Sequence, residues 1–225
     1  MRVAIMQPYL FPYAGYFRLF AATDCFVIYD CVQFPRRGRV HRCELPSAGT
    51  DPNWLTLPIV RCPRRTRINA VELPEDASSL FNQRLARQPS LWNRTGPIAE
   101  DVWHALTALS PGRKLADYLE YTLRSTIAWL GLDCEVVRSS TLTIEPSLGG
   151  QARIVAIARS LQASEYINSP GGRALYDSQE LLRHGLRLRF LQPYRGAYPH
   201  LLPALLTATP AQIRKDIETG STVDA

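Results

Sequence analysis

The fold is decided near the start of the chain, by residues 3–30, VAIMQPYLFPYAGYFRLFAATDCFVIYD. Val3–Met6 is a short apolar run with the character of a buried strand. Tyr13–Ala22 has helical character and follows Pro12, which is favoured at the start of a helix. Cys25–Tyr29 is a second apolar run rich in β-forming residues. The order strand, loop, helix, strand within about 28 residues predicts one βαβ unit.

The same alternation returns in the C-terminal part of the chain. Strands are predicted there at Cys134–Val137, Tyr166–Ile167 and Leu186–Leu191, and the tail Leu201–Ile217 is predicted to be helical. Additional short strands are predicted at Cys43–Leu45, Trp54–Ile59 and Asn69–Leu73. Between about residues 75 and 130 the apolar spacing is helical. We therefore predict a single α/β domain over residues 1–225, a three-layer Rossmann-like parallel sheet with a mainly helical insertion at about 75–130.

Composition narrows the class of protein. Hydrophobic residues make up 46% of the 225 residues, which is enough for a substantial core. No apolar run reaches the roughly 18 residues of a membrane span. The apolar stretch before Gln7 is shorter than the roughly 7–15 residues of a signal-peptide core. We expect a cytoplasmic protein.

The five cysteines form no C-x-x-C pair, and their odd number predicts free thiols rather than a disulfide framework. A zinc site is the weaker alternative, and its ligands would be Cys31, Cys43, Cys62 and His41. We predict no metal, and the sequence identifies no cofactor.

The formal net charge of +6 comes almost entirely from arginine. Two clusters stand out: Arg36, Arg37, Arg39 and Arg42, and then Arg61, Arg64, Arg65 and Arg67. Guanidinium groups match the geometry of phosphates and carboxylates, so a small anionic ligand explains such a cluster. Nucleic acid is the less favoured partner, because the chain carries no recognition-helix or RNA-module signature.

Three unusual loops are predicted to meet at one edge of the sheet, because ligands of parallel sheets bind outside the carboxyl ends of the strands. These loops are Gln7–Gly15, Asp30–Arg42 and Asn168–Gly172. The first is stiffened by two prolines, and consecutive glycines in the third can present backbone N–H groups to an anion. Asp30 suits a general base, with helix capping as the alternative.

The first loop invites comparison with nucleotidyltransferases of the HIGH-motif type, which place H-x-G-H at a helix start. The corresponding residues here are Tyr13-Ala-Gly15-Tyr16, in which the glycine is kept and both histidines are tyrosines. A nucleotidyltransferase-like layout is therefore an option for the fold, whereas the missing phosphate grip argues against ordinary nucleotidyl transfer.

Several blocks in order resemble the WbqC-like family. They are Gln7-Pro-Tyr-x-Phe-Pro-Tyr-x-Gly-Tyr-Phe17, Asp24-x-Phe-Val-x-x-Asp30-x-Val-Gln33, Arg37-Gly with Arg42, Trp54-Leu-Thr-Leu-Pro58, and Tyr166-x-Asn-Ser-x-Gly-Gly-x-x-Leu-Tyr176. The resemblance implies a role in O-antigen or other polysaccharide biosynthesis, with glycine or aminoacyl transfer as the proposed activity. It brings no established catalytic residues. The sequence departs from the family pattern at Cys31 and Arg39, which suggests another substrate, for example in specialised metabolism.

These observations predict a transferase of a small acyl or aminoacyl group, for example glycyl. The predicted catalytic residues are Asp30 and Gln7. The predicted substrate-binding residues are Tyr9, Tyr13, Gly15, Tyr16, Gln33, Arg37, Arg42, Asn168, Ser169, Gly171, Gly172 and Tyr176. The expected partner is a small-molecule or carrier-linked acyl donor, which includes an acyl carrier protein. The alternative is a non-catalytic protein that binds an acyl carrier protein or a nucleotide-linked intermediate.

Overall fold

The computed structural model describes residues 1–224. Its strands are β1 (Arg2–Met6), β2 (Cys25–Ile28), β3 (Arg42–Leu45), β4 (Asn53–Thr56), β5 (Glu135–Arg138), β6 (Glu165–Asn168) and β7 (Arg187–Phe190). Its α-helices are α1 (Ala14–Ala22), α2 (Ala77–Leu85), α3 (Ala99–Thr107), α4 (Leu115–Leu130), α5 (Gly150–Ser160), α6 (Ser178–Arg183), α7 (Leu201–Thr207) and α8 (Pro210–Thr219).

Five strands form one parallel sheet in the order β5-β2-β1-β6-β7. The first strand of the chain is therefore central, with β2 on one side and β6 on the other. The chain moves outward through β2 and β5 and then returns to the other side of β1, so the order reverses between β1 and β6. Strands β3 and β4 pair antiparallel as a separate ribbon.

Alternating strand residues feed two cores on opposite faces of the sheet. On one face Ala4, Phe26 and Ile167 join a core with residues of α1, α4 and α8. On the other face Val27 joins a smaller core with residues of α5 and α6, such as Ile157. Helices therefore cover both faces of a parallel sheet, and the predicted three-layer α/β fold is confirmed.

The region between β4 and β5 holds α2, α3 and α4, in agreement with its helical spacing. Helix α4 ends at Gly131, whose φ of 62° places it in the left-handed conformation that glycine adopts readily. No helix within residues 1–224 combines the length and apolarity needed to cross a bilayer.

One predicted strand is wrong. The proposed strand at Asn69–Leu73 is a short 3-10 turn at Ile68–Ala70, and the N–H groups of Ile68 and Asn69 donate to loop carbonyls rather than to a ladder. The tail Leu201–Ile217 is helical as predicted, and it forms two helices because Pro210 starts a new helix and cannot continue the preceding one.

Candidate functional site

A cleft of about 460 Å³ opens at the carboxyl ends of β1 and β6, where the strand order reverses. We call it the switch-point cleft. It is lined by Ile5, Met6, Gln7, Tyr9, Tyr29, Asn168, Ser169, Gly171, Gly172, Leu175 and Tyr176. Crevices at this point of an open parallel sheet are the usual ligand sites of such folds.

One wall of the cleft comes from the segment after β1. The hydroxyl of Tyr16 donates to the carbonyl oxygen of Gln7 at 2.8 Å, which fixes the backbone where the strand ends. Tyr9 stacks at a tilt against Tyr16, with 5.3 Å between ring centroids. Burial raises the pKa of Tyr9, so its hydroxyl keeps its proton and can donate to a ligand.

The opposite wall comes from the segment after β6. Asn168 is 4% exposed, and its Oδ1 accepts a hydrogen bond from the backbone N–H of Ser169 at 2.7 Å. A Cβ on Gly172 would clash with Asn168 Nδ2 and lie 3.0 Å from its Cγ. Glycine is therefore required at position 172 so that the chain can pass close to the Asn168 amide.

Tyr176 completes this wall through a contact with the sheet. The hydroxyls of Tyr166 and Tyr176 are 3.2 Å apart, and the two rings meet edge to face with centroids 5.5 Å apart. Since Tyr166 is fully buried in β6, Tyr176 is held in place by the core of the protein.

Asp30 follows Tyr29, which lines this cleft, but Asp30 itself is completely buried and is not part of the lining. Its Oδ1 accepts hydrogen bonds from Ser139 Oγ and the Ser140 N–H, both at 3.0 Å, and its Oδ2 accepts one from Ser140 Oγ at 2.6 Å. The carboxylate thus ties the end of β2 to the 3-10 turn Ser139–Thr141 that follows β5. A catalytic role for Asp30 stays a prediction.

Sequence reasoning missed four residues around Asp30, namely Tyr29, Ser139, Ser140 and Arg153. Tyr29 lines the cleft, and burial, assisted by nearby Cys31, raises its pKa to about 12. Cys31 Sγ lies 3.1 Å from Ser139 Oγ and 3.2 Å from Arg153 Nε. Tyr29 could have been found from its position at the end of a predicted strand. Ser139, Ser140 and Arg153 lie more than 100 positions from Asp30, with no local signal to connect them.

The predicted arginine residues lie elsewhere. Gln33 and Arg37 line a second cleft of about 360 Å³ together with Phe34, Pro35, Arg36 and Arg64, which we call the arginine cleft. Arg42 is 4.4 Å from the ring centre of Trp54 and donates to the carbonyls of Gly38 and Arg37. The structure therefore does not bring Arg37 or Arg42 into the switch-point cleft.

Three predicted substrate-binding residues do not line the switch-point cleft and instead pack against neighbouring residues of the protein. They are Tyr13, Gly15 and Tyr16. Tyr16 is 3% exposed and belongs to the main core. A Cβ on Gly15 would come within 2.7 Å of Tyr194 Cβ, so the glycine allows Tyr194 to pack against α1. Tyr13 is half-buried and meets Tyr194 edge to face, with centroids 5.9 Å apart.

The candidate zinc ligands point to different surroundings. Cys43 Sγ lies 3.3 Å from the carbonyl oxygen of Phe11, while Cys31 contacts Arg153 and Ser139. Within residues 1–224 no three Cys, His, Asp or Glu side chains converge as a metal site would require.

Comparison with known proteins decides the family. The WbqC-like protein family model matches residues 7–204, which is most of the chain. The chain belongs to the WbqC-like family. Both walls of the switch-point cleft, from Gln7 to Tyr9 and from Asn168 to Tyr176, lie inside the matched region.

A relative of this WbqC-like protein is the uncharacterized protein Rv1507c of Mycobacterium tuberculosis. The two are 25% identical over 198 residues, covering 79% of this chain and 76% of the relative. No solved structure matches the chain.

Proposed function

We propose that this WbqC-like protein is a transferase that moves a small acyl or aminoacyl group, such as glycyl, onto an amine or hydroxyl. The observation that carries the proposal is the switch-point cleft, which combines the usual ligand position of its fold class with two amide side chains, Gln7 and Asn168. O-antigen, other polysaccharide and specialised-metabolite biosynthesis are the pathways in which we propose that it acts.

The chemistry of the lining suits acyl transfer. The acceptor nitrogen or oxygen attacks the carbonyl carbon of an ester or thioester donor, and the carbonyl oxygen gains negative charge. Amide N–H donors from Gln7 and Asn168 would stabilise this oxyanion. The C–O or C–S bond to the leaving group then breaks, the leaving alkoxide or thiolate takes up a proton, and the acceptor loses one. Tyr9, Tyr29 and Tyr176 would wall the reacting group from water.

Asp30 has the role of general base in the same proposal. In the structure its Oδ2 is capped by Ser140 Oγ at 2.6 Å, and Ser140 is exposed. The acceptor proton would therefore reach Asp30 either through the Ser140 hydroxyl or after that hydroxyl rotates away. Without such a step Asp30 would serve only to position the Ser139–Thr141 turn.

The first test of the switch-point cleft compares ligand binding by the wild-type protein and by Gln7→Ala. Wild-type protein is screened by thermal shift against amino acids, coenzyme A thioesters, nucleotide-sugars and a loaded acyl carrier protein. A ligand at about 100 times its dissociation constant adds about 2.7 kcal/mol of stability. We expect this shift to disappear in Gln7→Ala and to persist in Gln179→Ala, which changes an exposed glutamine on α6. A hit that both variants keep would place the ligand outside the switch-point cleft.

The role of Asp30 is tested with Asp30→Asn and Ser139→Ala in a turnover assay on the donor so identified. Asn leaves only one acceptor oxygen where the carboxylate has two, so Asp30→Asn should also lose about 1–3 kcal/mol of stability. Ser139→Ala removes one bond of the tether and keeps the carboxylate. Loss of turnover in folded Asp30→Asn with activity retained in Ser139→Ala supports the base. Equal losses in both would leave Asp30 a positioning residue.

A specific observation favours one alternative, a non-catalytic protein that binds an acyl carrier protein or a nucleotide-linked intermediate. The arginine cleft places Arg36, Arg37 and Arg64 around one opening, which complements an acidic protein surface or a phosphate. This alternative predicts a complex that weakens steeply with salt and with Arg37→Ala, and no turnover of any bound donor. Turnover by the purified protein would contradict it.

A further inference from the structure

The residues of 1–224 that line the switch-point cleft include no charged side chain. They are three apolar residues, three tyrosines, two amides, one serine and two glycines. Ile5 and Asn168 are 3% and 4% exposed, so a ligand group that reaches them loses most of its contact with water. A charged group in that position would need a partner of opposite charge, which the lining does not supply.

Two carboxylates directly follow lining residues in the chain, and the protein's own donors occupy both. Asp30 follows Tyr29, is completely buried and accepts the three hydrogen bonds described above. Asp177 follows Tyr176, and its Oδ1 accepts from two N–H groups in the first turn of α6 at 2.9 and 3.1 Å. Neither carboxylate is part of the cleft surface as the structure describes it.

Arginines supply the permanent charges that act on the lining tyrosines. Burial raises the pKa of Tyr9 and of Tyr29, and a nearby arginine opposes the rise in each case, Arg39 for Tyr9 and Arg153 for Tyr29. Arg39 is paired with Glu44 at 2.6 Å, whereas Arg153 has no carboxylate partner within residues 1–224. The charges around the cleft therefore disfavour a cationic ligand group.

An ammonium group in this cleft would lose water without gaining a carboxylate. Tyrosine rings can attract a cation, but this attraction is weaker than the hydration that a buried ammonium gives up. An uncharged acyl group finds partners in the same place. Asn168 Oδ1 already accepts from the Ser169 N–H, which leaves the Nδ2 donors for a carbonyl oxygen. Leu175 lines the cleft and is 70% exposed, so it can cover hydrocarbon.

On the basis of the proposed transferase function, we propose that the group entering the switch-point cleft carries no ammonium, so that the protein moves an uncharged acyl group, rather than an aminoacyl group, onto a hydroxyl. The hydroxyl oxygen bonds to the carbonyl carbon as the C–S or C–O bond to the donor breaks. The hydroxyl proton ends on the leaving thiolate or alkoxide. An amine acceptor would arrive mostly as an ammonium at neutral pH, which the same lining disfavours.

Glycinamide tests this selectivity because its charge can be removed with little change of shape. Its α-amine titrates near pH 8, so the molecule is a cation at about pH 6 and largely neutral at about pH 9. N-acetylglycinamide is uncharged at both. Burial raises the pKa of Tyr9 and brings that of Tyr29 to about 12, so these two hydroxyls keep their protons throughout. Saturation-transfer NMR titrations on the whole chain measure the affinities, and binding that is lost in Gln7→Ala is counted as cleft binding.

We expect millimolar binding of N-acetylglycinamide at both pH values. Glycinamide should bind about 10-fold or more weakly at pH 6 than at pH 9, as for the burial of an unpaired charge. Gln7→Glu places a carboxylate in the lining and should strengthen glycinamide binding at pH 6 about 10-fold. Gln179→Ala and Gln179→Glu, at an exposed glutamine of α6, are the matched controls and should bind as the wild type does.

Cleft binding of glycinamide at pH 6 that is as tight as that of N-acetylglycinamide would overturn the proposal, because the tyrosine rings would then hold the ammonium. Absence of N-acetylglycinamide binding, or equal binding in Gln7→Ala, would overturn it as well. The transferase is judged separately, by turnover. A preference for the neutral probe without turnover of any donor would contradict transfer and not the selectivity, whereas a preference for charged glycinamide would contradict the selectivity and favour aminoacyl transfer.

Discussion

His41 is a buried histidine with an incomplete set of hydrogen bonds. It is 8% exposed, its ring is 5.0 Å from that of Phe34, and its Nδ1 has no partner within the described residues. Burial lowers its pKa to about 4, with smaller contributions from Arg42 and Arg84. The folded protein therefore contains a neutral imidazole at neutral pH.

This neutral imidazole makes stability depend on pH. An unfolded histidine titrates near pH 6.5, so between about 6.5 and 4 the unfolded chain binds a proton that the folded chain does not. Stability from this residue is present above pH 6.5 and is lost as the pH falls towards 4, by up to roughly 3 kcal/mol. The free energy of unfolding, measured by urea denaturation at several pH values in this range, should depend less steeply on pH in His41→Gln. In His104→Gln, which changes an exposed histidine, this pH dependence should be the same as in the wild type. If the stability of His41→Gln depended on pH as steeply as that of the wild type, His41 would not be the source of the effect.

The aromatic residues of Gln7–Phe17 show that the type of a residue does not indicate whether it faces the cleft or the core. The sequence indicates that this stretch is stiff and aromatic, and Gln7 and Tyr9 do line the switch-point cleft. Tyr16 and Phe17 face the core instead. Tyrosine and phenylalanine serve equally well in a pocket wall and in a core, so their direction depends on packing partners such as Tyr194 that are distant in sequence.

At the scale of elements, α8 is the helix with the most explicit start signal. The Thr209 side chain accepts from the Gln212 N–H while the Gln212 side chain accepts from the Thr209 N–H, which is a capping box, and Pro210 occupies the first turn. Because Ile213 and Ile217 of this helix are fully buried, its first turn is linked to the main core.

Thr209→Ala should therefore destabilise the protein by about 1 kcal/mol. The matched control is Thr207→Ala on α7, whose hydroxyl donates to a helical carbonyl at Pro203 and caps nothing. Chemical denaturation of the two variants measures the difference. Equal midpoints would show that the capping box contributes little beyond the propensity of α8.

Most strands and helices were predictable because apolar periodicity marks them strongly, for instance in α4 and in β2. The error occurred where that signal is ambiguous, because Asn69–Leu73 is an apolar-containing segment whose backbone N–H groups donate to isolated loop carbonyls. The tail Leu201–Ile217 keeps its apolar spacing across Pro210, so the spacing predicts its helical character but not its division into two helices. Local pattern does not specify the partner of a backbone N–H group.

At the scale of the whole molecule, strand order decides which loops meet. The sequence predicted that Gln7–Gly15, Asp30–Arg42 and Asn168–Gly172 share one edge of the sheet. The structure brings the first and third together because β1 and β6 are neighbours. In the second loop Arg36 and Arg37 line a different cleft, whereas Arg39 and Arg42 lie beside Tyr9 and Tyr13 of the first loop, outside the switch-point cleft. Neighbour relations within a sheet are set by long-range packing, which a single sequence does not reveal.

Both cores are built on opposite faces of the same parallel sheet, so we expect them to unfold together. Ile157, on α5, is fully buried in the smaller core, and Ile157→Ala should cost about 2–5 kcal/mol. Far-UV and near-UV circular dichroism should report one coincident transition at a lower temperature. Leu182→Ala, at an exposed leucine of α6, is the control. Two separate transitions in Ile157→Ala would show that the faces are independent.

The central position of β1 has a consequence for synthesis on the ribosome. Strand β1 can pair with β2 soon after both are synthesised, but its other edge is reserved for β6, which begins at Glu165. Between the synthesis of β2 and that of β6 the nascent chain therefore carries an unpaired, apolar strand edge of the kind that recruits other chains. Protection of that edge by a chaperone, or a pace of elongation that quickly delivers residues 165–190, becomes a requirement for high yield.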